Sequence, residues 1–179
     1  MAEQNPRVVS LSFALHTEEH DDFEVKLFRT RKIRQRVESI DILIDGKSIL
    51  NVMGLGGSDI TTVVSSHFAK PMQSTVLRDQ LTKGLSTPGL TSGIVPVYVC
   101  GECGDYGCGV FGWKIRFGEN TVTWYDFGWD DNLNDTFDED DEPDPLYIGK
   151  TIIFDRTQYF EALKNIPALQ ARIMESNKT

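Results

Sequence analysis

A chain of 179 residues, 40% hydrophobic and 25% charged, has enough apolar material for one domain with its own core and is not composed like a disordered chain. No run of about 18 apolar residues occurs, and the polar start MAEQNPRVV lacks the basic, apolar and small-residue zones of a secretory signal, so the expectation is a single domain over residues 1–179 that stays in the cytoplasm, with no membrane contact. The formal net charge of −9 sits in one place: Asp130 to Asp144 holds nine acids and no base, and the 18 acids elsewhere balance the 18 bases.

In chain order, Val9, Leu11, Phe13 and Leu15 alternate with smaller or polar residues and predict a strand over Arg7 to Leu15. The charged stretch His16 to Asp22 reads as a turn, and Phe23 to Phe28 as the returning strand. Six bases then fall within Lys26 to Arg36 with no acid among them, a density that predicts exposure beside acids of the same chain. Ser39 to Ile44 and Lys47 to Val52 flank Asp45-Gly46, the signature of a two-residue hairpin turn. Gly54 to Gly57 is a flexible break with no phosphate-loop ending, and Asp59 to Ala69 is open between helix and strand. Gln73 to Leu85 allows a short helix inside the irregular stretch Lys70 to Gly93, which contains Pro71 and Pro88.

Ile94 to Val99 predicts a strand, followed by a glycine-rich loop with all three cysteines. Val110 to Phe117 and Thr121 to Phe127 form a second hairpin around Gly118-Glu119-Asn120. Period two puts Trp113, Ile115 and Phe117 on one face of its first strand, and Val122, Trp124 and Asp126 on one face of its second. Leu146 to Phe154 is the last strand. Asp155, with Gln158 three residues on, caps a helix that Pro167 must kink or split. The expected fold class is α+β, mainly antiparallel sheet built from hairpins, with a C-terminal helix.

The segment CGECGDYGCG places Cys100, Cys103 and Cys108 together. An odd count in one cluster is no secreted disulfide framework, so these are thiols or metal ligands. Three thiolates would supply three of the four ligands of tetrahedral zinc, with His67, His16, Asp105 or Glu102 as the fourth; the competing reading is a glycine-shaped turn with buried thiols. No other cofactor is implied. His16-Thr17-Glu18-Glu19-His20 matches a zinc-peptidase pattern, but that pattern works on a helix and this one sits between strand-like runs, so a chance match is preferred.

The acidic stretch has a bland reading, a mobile solvated insertion, and a functional one, a surface that docks on a basic protein. The apolar interruptions Trp129, Leu133 and Phe137 favour the second, since a purely solvating segment needs no anchors. The candidate partner-binding residues are Trp129, Asp130, Asp131 and Asp135, then Phe137, Asp138, Glu139, Asp140 and Asp141. Trp129 reads equally as a binding hot spot or as a cap on the sheet edge. The acidic balance disfavours nucleic acid, with Lys26 to Arg36 as the local exception.

From Ile94 to Ile166 the order VYVC, CGECGDYGCG, a hairpin ending TWYDF, and TIIFDRTQYFEAL resembles a group of uncharacterised bacterial proteins with a CG-x-x-GC turn and an F-D-R-x-Q-Y helix. The resemblance covers less than half the chain and implies a structural frame without an activity. By looser analogy of size, acidity and absent catalytic residues, the chain is similar to immunity proteins of contact-dependent toxin systems. That analogy implies a non-enzymatic protein that neutralises a cognate toxin domain by occlusion. The alternative is a zinc-stabilised regulatory or scaffold protein using Cys100, Cys103 and Cys108.

Overall fold

Asp45 and Gly46 both take left-handed backbone, with φ of 49° and 75°. Two central residues at positive φ give the turn whose twist suits a hairpin, and it pairs Ile44 with Lys47 and Leu43 with Ser48. The computed structural model describes residues 7–26, 29–55, 60–66, 74–86, 90, 92–130 and 151–176. Within them, β1 (Val8–Val9), β2 (Leu11–Lys26), β3 (Arg29–Ile44) and β4 (Lys47–Ser48) precede helix α1 (Ile49–Met53). Strand β5 (Ile60–Thr62), helix α2 (Ser74–Lys83), and strands β6 (Val95–Cys100), β7 (Val110–Phe117) and β8 (Thr121–Asp130) follow. Strand β9 (Ile152–Asp155) and helices α3 (Arg156–Leu163) and α4 (Ile166–Ser176) complete the order. The class is α+β with antiparallel hairpins and a helical C-terminal end, as the patterning predicts.

One sheet runs β2-β3-β4; the other runs β1-β9-β8-β7-β6-β5 and is antiparallel except where β1 meets β9. Backbone bonds tie β3 to the segment that follows β5: the Ile40 N–H donates to Val64 O at 3.2 Å, and the Ser66 N–H to Glu38 O at 2.7 Å. Ile40, Ile42, Leu77, Leu81, Trp124, Phe154, Tyr159 and Ile173 are buried in one core shared by both sheets and helices α2 to α4. Inside it the Tyr159 hydroxyl donates to Leu81 O at 2.9 Å and accepts from the Trp124 indole at 3.3 Å, so α2, α3 and β8 are held by one satisfied polar relay. Asp155 caps α3 by accepting from the Gln158 N–H at 2.8 Å, and the predicted break near Pro167 separates α3 from α4. No helix among the described residues is long and apolar enough to cross a membrane.

Three expectations need correction. His16 to Asp22 is not a turn: β2 runs unbroken to Lys26, with Glu19 opposite Arg36 and Asp21 opposite Arg34. The acids that suggested a turn meet the basic run diagonally, Lys32 on Asp21 at 2.7 Å and Arg34 on Glu19 at 3.3 Å, and such cross-strand pairs support a ribbon exposed to water. Lys47 to Val52 is not one strand, because Ile49 and Met53 bury together at helical spacing and Gly54, at φ 78°, ends the turn of α1. The period-two reading of β8 fails at a bulge, where Asp126 and Phe127 together oppose Trp113. Asp126 takes φ 47° and stays exposed beside Lys114 at 3.3 Å, while Phe127 swings onto the buried face with its ring 4.4 Å from Trp113.

Candidate functional site

The cysteine loop begins where β6 ends. The Gly104 N–H returns to Cys100 O at 3.0 Å, and Gly104 itself sits at φ 65°. Asp105 then caps a single 3-10 turn, Tyr106–Cys108, by accepting from the Gly107 N–H at 2.8 Å. This folding brings the Cys103 and Cys108 sulfurs to 3.1 Å, both exposed, and aims the Asp105 N–H at the Cys103 sulfur from 3.4 Å. The Asp105 N–H, followed by the Cys108 thiol, holds the Cys103 thiol below its ordinary value. The same hydrogen bond to Cys103, with the repulsion of its charge, pushes Cys108 up to about 11.

Two thiolates around one tetrahedral zinc would stand about 3.7 Å apart at the usual zinc–sulfur length. At 3.1 Å, Cys103 and Cys108 are a hydrogen-bonded thiol pair. Among the described residues no group of three or more His, Cys, Asp and Glu side chains is arranged to hold a metal ion. His67, one of the suggested fourth ligands, lies outside the described residues. His16 lies in β2, where its Nε2 pairs with Glu18 Oε1 at 2.7 Å, so the HTEEH run is strand and not the helix a peptidase needs.

Trp129 lies on β8 opposite Phe111, with ring centroids 4.4 Å apart at 60°. Its indole covers Gly109: a Cβ there would stand 2.1 Å from Trp129 Cζ2. The ring is therefore seated on the end of the cysteine loop and is still 40% exposed. Beneath it Phe111 stacks on Phe127 at 5.5 Å, Phe127 meets Trp113 at 4.4 Å, and Trp113 meets Trp124 at 5.1 Å. Trp129 is the outer rung of an aromatic ladder that reaches the core.

Asp130, counted with the acidic stretch, is 7% exposed and accepts from both the backbone N–H and the hydroxyl of Ser92. It anchors the end of β8. Asp131, Asp135, Phe137, Asp138, Glu139, Asp140 and Asp141 lie outside the described residues, as do 146–150 of the expected last strand. The structure thus brings Trp129 and the cysteine loop, separate candidates in the sequence, into one surface patch. Gly109 was missed as the seat of Trp129; its signal was a glycine between a cysteine and a strand whose partner strand carries a tryptophan.

No protein-family model, no curated protein and no solved structure matches this chain.

Proposed function

We propose that this chain is a non-enzymatic binding protein that docks a basic protein through Trp129 and the acidic stretch that follows it. The observation that carries the reading is the seating of Trp129. A large aromatic ring 40% exposed at a fixed place costs little entropy to bury on a partner, because Gly109 and Phe111 already define its position. After it in the chain come nine acids between Asp130 and Asp144, of which the eight beyond the buried Asp130 would steer a cationic partner towards that ring. A toxin domain neutralised by occlusion in the cytoplasm is the partner that fits an acidic binding protein of this kind, and free thiols suit that compartment.

Affinity capture with the wild-type chain and Trp129→Ala side by side tests this. A basic protein retained by the first and lost by the second is expected, and growth rescued when the chain is co-produced with that protein would identify a toxin domain. Equal retention by both chains, or capture of acidic proteins alone, overturns the reading. The second reading, a zinc-stabilised scaffold, is favoured only by the gathering of the cysteines. It requires the Cys103–Cys108 pair to open and one zinc per chain in the native mass of the purified protein.

A further inference from the structure

A cleft of about 260 Å³ opens where the β2-β3-β4 sheet meets β5, with α1 on one side and Tyr98 of β6 on its inner wall. His16 and Ser39 stand opposite each other across β2 and β3, and Asp41 follows Ser39 on the same face. Ser48, from β4, donates its hydroxyl to Asp41 Oδ1 at 3.0 Å, and both residues line the cleft. Glu18 pairs with His16 at the rim. Among the described residues no lysine or arginine lines the cleft. Burial holds the Asp41 carboxyl above the ordinary carboxylate range, against the opposing pull of the Ser48 hydroxyl and of His16.

Tyr98 supplies the independent observation. It is 1% exposed, and its hydroxyl has no hydrogen-bond partner among the described residues. Buried hydroxyls are nearly always bonded, so one left open on the wall of a cleft marks the place of a missing polar atom. The cleft holds about eight waters' worth of volume, which suits a small molecule and not a peptide. A metal ion does not suit it, because among the described residues no three His, Cys, Asp or Glu side chains gather to ligate one. An anion would meet the like charge of Asp41.

We propose that this cleft binds a small organic ammonium compound, whose N–H donors meet the Asp41 carboxylate and whose second polar atom reaches the Tyr98 hydroxyl. The site lies on β2 to β6 and is independent of the Trp129 patch, so it stands or falls apart from the protein-binding reading.

The test is titration of the full chain with putrescine, ethanolamine and, as a neutral match in size, 1,4-butanediol, followed by amide chemical shifts. An amine should saturate at millimolar concentration or below and move the amides of Ser39, Asp41, Ser48, Thr62 and Tyr98, while butanediol leaves them in place. Asp41→Asn should weaken that amine by at least about tenfold and Tyr98→Phe by about fivefold, the worth of a charged and a neutral hydrogen bond. Both replacements are close to the native shape, and the amine-to-diol comparison on the wild-type chain needs neither. Failure of both amines to bind at millimolar concentration, equal binding of butanediol, or unchanged amine affinity in both variants overturns the assignment.

Discussion

Gly109 shows how one missing side chain shapes the candidate interface. It sits at φ 105°, a conformation that penalises any Cβ, and a Cβ there would enter the Trp129 ring. Gly109→Ala should therefore unseat Trp129 and cost on the order of 1–3 kcal/mol of stability, read from chemical denaturation and a red shift of tryptophan emission. An unshifted emission with unchanged stability would mean that the ring is not seated on the loop. The cysteines offer a second check at this scale. A lowered thiol value puts thiolate on Cys103 at a pH where an ordinary cysteine is still protonated, and a raised one keeps Cys108 protonated until about 11. Alkylation followed by mass spectrometry should label Cys103 first as pH rises, with Cys108 labelled only on chains in which Cys103 is already modified. Reversed order would contradict the lowering of Cys103 and the raising of Cys108. Among single residues, the cap at Asp155 was legible because its chemistry is local and its spacing to Gln158 is fixed. The left-handed Asp126 was not, since a bulge depends on what the opposite strand presents at Trp113.

Strands β2 and β3 carry the lesson at the level of elements. Their inner halves bury Leu11, Phe13, Ile40 and Ile42, while the outer halves hold exposed ion pairs. A run of charge looks like a turn when it is read alone, and only the register shows that the acids of one strand and the bases of the other are partners. The Asp45-Gly46 hairpin was legible for the opposite reason, because the turn itself carries the signal. Exposed pairs contribute little to global stability, so Lys32→Gln with Arg34→Gln should change unfolding free energy by less than about 1 kcal/mol each. Local order should still fall: amide exchange in the outer ribbon, around Glu19 and Arg36, should speed up while the amides of Ile40 and Ile42 keep their protection. Equal acceleration in both halves would mean that the hairpin opens as one unit.

Over the whole molecule, the charge layout and the fold separate two jobs. The core links both sheets through Ile40, Trp124 and Tyr159, and Asp130 with Ser92 closes that frame where the acidic stretch leaves it. The position of the net charge could be read directly from composition, whereas the meeting of Trp129 with the cysteine loop could not, because it depends on β7 and β8 pairing in register. Binding kinetics against the captured partner, at low and at physiological salt, test the central claim most directly. Changing Asp138, Glu139, Asp140 and Asp141 together to Asn or Gln should slow association and flatten its salt dependence, since charges at a rim act on encounter. Trp129→Ala should instead speed dissociation and cost about 2 kcal/mol of affinity, as an aromatic anchor does. An association rate at low salt that is the same with and without the four acids would contradict the account.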